Sequence, residues 1–300
     1  MIPRCCAFDS GPFSPSLEGC ATLTIMPRCL AYDISGHQKG LDVEALLTER
    51  APLWMCVKLT EAQGFVDKVG LDFARRIVAF GTPCSGYGFL WANRSGAAQG
   101  THLGTQYRGS ACDARPVADI EGCYDPKTGQ ITDVPEVGPK KALATYVEAV
   151  DACEQVTGRT CNIYTGPGFI QTYFSAPELR WSKEAEFLAE RPLWCAHYGA
   201  SSPIIPLFWR DRGKTPACWQ WSGGATQKAP INAALDQQSF QGRVLDTNLV
   251  LLPEDLGFSH FLPQDLSMWK APAVTEIPSI DQILELVRRP GGQEPFEIAA

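Results

Sequence analysis

The sequence predicts an α/β fold built as a barrel of parallel strands whose last helices are lost. Two observations carry this. Short apolar runs of strand length recur along the chain, and helix-like stretches separate the earlier runs while the later ones follow closely on one another. The bulk numbers allow it: 300 residues, 45% of them hydrophobic, give a full core for one large domain or two ordinary ones.

In order, the expected strands are RCLAYDI (28–34), LWMCVKL (53–59), SGYGFLWA (85–92), PVADIE (116–121), TCNIYT (160–165), PLWCAHY (192–198), ACWQWS (217–222) and RVLDTNL (243–249). Helices are expected at 42–50, 71–80, 139–157 and 182–190. The third has the clearest start, a proline in its first turn. Its apolar residues Leu143, Tyr146, Val147 and Val150 recur at helical spacing, and Gly158 ends it. The barrel is expected over 28–252. Residues 1–27 read as an irregular Pro/Ser/Gly-rich extension, in which PRCCAFDSG nearly repeats the PRCLAYDISG that follows. Residues 253–300 read as a proline-punctuated tail. Within it, SIDQILELVRR (279–289) has the pattern of a short amphipathic helix capped by Ser279. So short a helix needs a surface to dock on, the barrel or a partner.

Composition excludes several classes. The formal net charge of −7 provides no basic field for nucleic acid. No run approaches 18 apolar residues, so no membrane span is expected. The first residues, MIPRCCAFDSGPFSPSLEG, hold no sustained apolar stretch, so no signal peptide is expected. The 12 cysteines form no C-x-x-C and no zinc spacing. Cys29, Cys56, Cys195 and Cys218 lie in or beside apolar runs and read as buried thiols serving as small hydrophobes, with disulfides as the alternative. The four histidines (His37, His102, His197, His260) fit no metalloprotease spacing.

The chemistry sits in RPVADIEGCYD (115–125). Along a strand the side-chain period is two, so Asp119 and Glu121 point to one side. Mutual repulsion and partial burial raise the pKa of one of them. A neutral acid beside an ionised carboxylate is what glycosidic bond cleavage requires. An isolated D-x-E is commonly a solvated strand end, so the other acids matter. Asp33 and Asp246 also fall at expected strand ends, and Glu61 follows the second strand. Strand C-termini of a parallel barrel converge on one face. Trp91, Tyr164, Trp194, Tyr198, Trp219 and Trp221 supply aromatic rings on other strands, as a carbohydrate cleft requires. The candidate substrate contacts are Glu61, Tyr164, Tyr198, Trp219 and Gln220.

Seven segments, YDISGHQ (32–38), VKLTEAQGFVDK (57–68), VADIEG (117–122), VTGRTCNIYTGPGF (156–169), RPLWCAHYG (191–199), CWQWSGG (218–224) and LDTN (245–248), occur in an order that resembles glycoside hydrolase family 25. Its members include the lysozymes of bacteria and bacteriophages that cut N-acetylmuramic acid β-1,4 bonds. The resemblance implies a TIM-like (β/α)5(β)3 irregular barrel with non-barrel extensions at both ends. It implies that Glu121 is the general acid and that Asp119 is its partner, orienting the substrate's N-acetyl group or stabilising the transition state. Asp33 and Asp246 would be two further acids of the cleft. It implies bacterial peptidoglycan as substrate, retaining hydrolysis by a direct or acetamido-assisted route, no cofactor and no metal. Two departures stand out. The third strand, GYGFLWA, lacks the histidine of the family's G-x-Y-H-F-like segment, and 223–243 is a longer insertion than usual. The flanks and the cysteine content suggest a bacteriophage origin. The enzyme would then act on the wall from the virion, docked to tail or baseplate proteins through 1–27 and 253–300, or from the host cytoplasm at lysis. The alternative is a catalytically silent barrel that serves as a structural or glycan-binding virion component.

Overall fold

The computed structural model describes residues 30–198, 200, 202–223 and 239–257, and every structural statement here concerns those residues. The expected extension at 1–27, the helix at 279–289 and most of the insertion at 223–243 lie outside them.

The chain runs β1 (Leu30–Ile34), α1 (Val43–Arg50), β2 (Trp54–Glu61), β3 (Phe65–Val66), α2 (Lys68–Phe80), β4 (Cys84–Phe89), α3 (Gly96–Gly109), β5 (Val117–Asp119), α4 (Asp133–Val137), α5 (Pro139–Thr157) and β6 (Asn162–Thr165). It continues through α6 (Pro167–Phe174), α7 (Pro177–Arg180), α8 (Lys183–Ala189), β7 (Leu193–Ala196), α9 (Leu207–Arg210), β8 (Pro216–Ser222), β9 (Ser239–Phe240), β10 (Arg243–Val244) and β11 (Asp246–Val250). The sheet order β1-β11-β8-β7-β6-β5-β4-β2 is closed by a parallel β1–β2 pairing, which makes an eight-stranded barrel; β3 hangs on β2 as an extra strand. Helices cover the crossovers from β1 to β7. Only the four-residue α9 separates β7 from β8. This is the irregular (β/α)5(β)3 barrel.

The last strand differs from the sequence expectation. The run 243–249 is split into β10 and β11, and β11 pairs antiparallel with both β1 and β8. With no helix to carry the chain back, the strand enters from the opposite end. Asp246 therefore begins its strand instead of ending it, yet it lies at the same barrel end as the C-termini of the parallel strands, opposite Asp33.

Side-chain alternation divides the core into two layers. Ala31, Trp54, Cys56, Val117, Trp194 and Cys218 fill the barrel, while Ile34, Val57, Ala118, Ile163 and Cys195 face the helices. Trp194 is the keystone of the inner layer, edge-on to Trp54 at 5.1 Å and to Tyr164 at 4.8 Å. The two indole N–H groups are satisfied, Trp54 donating to Ser85 and Trp194 to Asn248. The described cysteines are free thiols, six of them buried. No described helix is long and apolar enough to cross a membrane.

Helix α5 has the bounds its sequence predicts, 139–157, with Gly158 turning left-handed at its end. Helix α3 has no counterpart in the sequence reading. Its glycines at every fourth position suppress the helical pattern, since each disfavours a helix by about 1 kcal/mol relative to alanine. Those glycines let α3 lie directly on α5. A Cβ on Gly100 would stand 2.0 Å from the Ala149 carbonyl oxygen, and one on Gly96 would stand 2.2 Å from that of Thr145.

Candidate active site

One pocket opens at the barrel end where the acids were expected. It is lined by Asp33 of β1, Tyr87 of β4, Asp119 of β5, Glu121 just beyond it, Tyr164 of β6, Trp194 of β7, Gln220 of β8 and Asp246 of β11. Period-two alternation brings Asp119 and Glu121 to the same side. Asp119 is buried; Glu121, past the end of the strand, is only partly so. Immediately after it, Gly122 turns at φ +79°, pressed against Ile131 and Phe169 where a Cβ would not fit. Asp133, itself 1% exposed, accepts the backbone N–H groups of Cys123 (2.9 Å) and Ala92 (2.7 Å). This carboxylate ties the loop that follows Glu121 to the loop that follows β4.

Two amides orient Asp33. Gln220 Nε2 and Asn248 Nδ2 each donate to Asp33 Oδ2 at 2.8 Å. The orientation of each amide is fixed from behind. Tyr164 and Tyr198 hydroxyls donate to Gln220 Oε1 at 2.6 and 2.7 Å, and Trp194 Nε1 donates to Asn248 Oδ1 at 2.8 Å. Each amide oxygen is thus occupied, which leaves the N–H groups for Asp33.

The electrostatics follow from four carboxyls in one confined space. Burial is the largest effect on each. It pushes Asp33 up to about 6, restrained by the hydrogen bonds from Asn248 and Gln220. It pushes Asp246 up to about 8, with the charge of Asp33 adding to it. Glu121 rises to about 7 through burial and the charge of Asp33, opposed by Lys58. Asp119 is held well above the usual carboxylate range by burial and by Glu121, again opposed by Lys58. The cluster therefore retains protons near neutral pH.

The sequence profile of glycosyl hydrolases family 25 matches residues 32–228. The chain belongs to this family. Three solved structures share the fold. The lysozyme of Streptomyces coelicolor is 19% identical, with a TM-score of 0.55 over 74% of this chain and 91% of that one. The family 25 lysozyme of Aspergillus fumigatus is 21% identical, with a TM-score of 0.56 over 74% of this chain and 93% of that one. The spore cortex lytic enzyme of Clostridium perfringens is 20% identical, with a TM-score of 0.55 over 75% of this chain and 68% of that one. No curated protein matches the chain in sequence.

Within this family 25 barrel the expected substrate contacts separate. Tyr164 and Gln220 line the pocket, and Tyr198 reaches it through both of them. Trp219 does not line it. Its neighbour Gln220 points inward, so Trp219 faces out, fully buried opposite Cys195, with its indole N–H on the His197 carbonyl at 2.7 Å. Glu61 is also outside the lining; it binds Lys58 Nζ at 2.7 Å, and its charge adds to the upward push on Asp119. His197 folds the loop after β7, its Nδ1 accepting from the Ile204 N–H.

Lys58, Tyr87 and Asn248 were not singled out from the sequence. Lys58 carried a legible signal, a cation in the middle of an apolar strand in the same alternation as Trp54 and Cys56. It lies 5.4 Å from the Phe89 ring centre and 5.9 Å from that of Phe65, so aromatic faces and Glu61 hold it beside the acid pair.

Proposed function

We propose that this family 25 barrel is a muramidase that hydrolyses the β-1,4 bond between N-acetylmuramic acid and N-acetylglucosamine in bacterial peptidoglycan. The observation that carries the reading is the meeting of Asp33, Asp119, Glu121 and Asp246 in one pocket where burial and mutual repulsion keep protons on carboxyls.

Glu121 is the general acid. It is less buried than Asp119, and its pKa, raised to about 7, keeps it mostly protonated under mildly acidic conditions and about half protonated at neutral pH. Its proton passes to the glycosidic oxygen as the bond to the anomeric carbon breaks. Asp119 is the partner. Its Oδ1 is buried with no hydrogen-bond partner among the described residues, an acceptor suited to the acetamido N–H of the substrate. The Asp33–Asp246 pair supplies negative charge beneath the developing oxocarbenium ion. Water completes hydrolysis at the anomeric carbon, and the proton it sheds restores the acid.

The test is release of muramic acid reducing ends from purified peptidoglycan, wild type beside Glu121→Gln. The expected loss is about 100-fold or more, the range of a positioned acid. Retained turnover in Glu121→Gln would remove the assignment. A wild type that binds walls without cutting them would make the barrel a recognition component. Use by a bacteriophage, in the virion or at lysis, rests on the flanks at 1–27 and 253–300, nearly all of which lie outside the described residues. Detection of the protein in purified particles decides between the two stages.

A further inference from the structure

Two thiols meet at the barrel end opposite the acids. Cys84 is the first residue of β4, and Cys112 lies in the connection from α3 to β5, 28 positions further along the chain. Backbone hydrogen bonds hold the two segments together. The Cys84 N–H donates to Asp113 Oδ1 at 2.8 Å, and the Cys84 carbonyl accepts the N–H groups of Asp113 (3.0 Å) and Ala114 (3.1 Å). The connection is anchored further by the Cys112 N–H on Ser110 Oγ (3.1 Å) and by Arg159 Nη1 on the Asp113 carbonyl (2.6 Å).

Gly86 makes the room. By period-two alternation it lies on the same face of β4 as Cys84. A Cβ at Gly86 would stand 3.2 Å from Cys112 Sγ, so the sulfur fills the space of the side chain that Gly86 lacks, next in the row to Cys84.

The pair is asymmetric. Cys84 is fully buried, whereas Cys112 is partly exposed. Burial pushes the Cys84 thiol well above its usual range, and the hydrogen bond from Cys84 holds the Cys112 thiol below it. An accessible, more readily ionised thiol beside a buried one is the arrangement of an attacking and a resolving cysteine. The remaining described thiols lack it. Cys153 and Cys161 also touch, but both are fully buried, away from any oxidant. Cys123 is partly exposed, but burial pushes its thiol up.

We propose that Cys84 and Cys112 are a redox pair, which a low-molecular-weight disulfide converts to an intramolecular disulfide that staples the α3–β5 connection to the start of β4. The Cys112 thiolate attacks one sulfur of the small disulfide, forms a mixed disulfide and expels one small thiolate. Cys84 then loses its proton to solvent, attacks Cys112 Sγ and expels the second. Two protein thiols are oxidised to one disulfide, and one small disulfide is reduced to two thiols. The new bond closes the segment 84–112 into a loop and restricts the unfolded chain, which stabilises the native state. No step uses the acid pocket, so the proposal stands apart from the muramidase reading.

The test is oxidation of the folded, reduced full chain with oxidised glutathione. Peptide mapping by mass spectrometry under non-reducing conditions then separates this pair from every other cysteine, including Cys5, Cys6, Cys20 and Cys29. A linked Cys84–Cys112 peptide is expected in wild type and in Cys123→Ser. The thermal midpoint of wild type should rise by at least about 4 °C on oxidation. In Cys84→Ala the reaction should stop at a glutathione adduct on Cys112, without that rise. Cys112→Ser, at a partly exposed position that tolerates the change, should show neither link nor rise and leave Cys84 unmodified. The proposal is overturned if Cys112 stays a free thiol in wild type, if it stops there as the mixed disulfide, if the link forms only after denaturation, or if it forms without raising the midpoint.

Discussion

Asp33 and Asp246 stand opposite each other in the antiparallel β1–β11 pair, and their carboxyls share a hydrogen bond. Two carboxyls can hydrogen-bond only if one keeps its proton. The reversed direction of β11 is what allows this contact: a parallel strand would have brought its C-terminal residue to the same place. The pair resembles a single acid with one proton to distribute, and it sets the charge against which Glu121 and Asp119 titrate.

This pairing makes the pocket a source of instability at neutral pH. The folded-state pKa values of Asp33 (about 6) and Asp246 (about 8) lie above those of unfolded carboxylates. Between about pH 4 and those values the native state holds protons that the unfolded chain has released, so stability falls as pH rises. Asp246→Asn removes one such group and still offers a donor to Asp33. It should raise stability by about 1–3 kcal/mol at pH 8 and leave it nearly unchanged at pH 4. Urea midpoints at both pH values check this; equal gains at the two would deny the electrostatic origin.

Lys58 should govern the alkaline limb of activity. Glu121 acts as an acid only while protonated, so turnover should decline as pH rises through about 7. Lys58 favours the ionised forms of both Glu121 and Asp119. Lys58→Met removes that cation, raises both pKa values and should move the alkaline limb upward, whereas Lys58→Arg should hold it near its wild-type position. The pH profile of kcat/KM for the three proteins measures it, and an unmoved limb in Lys58→Met sinks the idea.

Asp133 is predicted to matter more than any surface acid. Its buried carboxylate receives the N–H groups of Ala92, Cys123 and Val134. Asp133→Ala orphans all three donors, each worth about 1–3 kcal/mol when stranded. A loss of at least about 3 kcal/mol in denaturant unfolding is expected, and the folded fraction should also lose turnover because Cys123 lies two residues from Glu121. Asp133→Asn, which keeps acceptor capacity, should be milder in both readouts.

The acids and most strands could be read from the sequence because alternation is a local property. Asp119 and Glu121 are two residues apart, and period two decides their side wherever the strand lies. The same rule, applied at Gln220, would have turned Trp219 outward; counting aromatics without assigning faces left it in the cleft. Lys58 was legible by the same alternation, as a cation on the inward side of an apolar strand. Asn248 was harder to see. Its role depends on a partner on the neighbouring strand, Asp33, and strand register fixes that contact, not spacing along the chain. The direction of β11 was hidden for the same reason.

Gly100→Ala tests the element that the sequence concealed most completely. Helix propensity alone predicts that alanine in the middle of α3 stabilises the protein by about 1 kcal/mol. The packing predicts the opposite. The added Cβ would sit 2.0 Å from the Ala149 carbonyl oxygen and 2.8 Å from its carbon, both backbone atoms of α5 that no rotamer change can move aside. The two helices would have to separate along their length, which opens the contact that also seats Gly96 and Gly104. Overpacking of this kind typically destabilises by about 1–3 kcal/mol, and here it must also outweigh the propensity gain. A net loss of about 1–3 kcal/mol in the unfolding free energy is therefore expected. Gly109→Ala, at the end of the same helix with open space around it, should show no such loss. If Gly100→Ala were as stable as Gly109→Ala, the close α3–α5 approach would not be what makes this glycine-rich segment a helix.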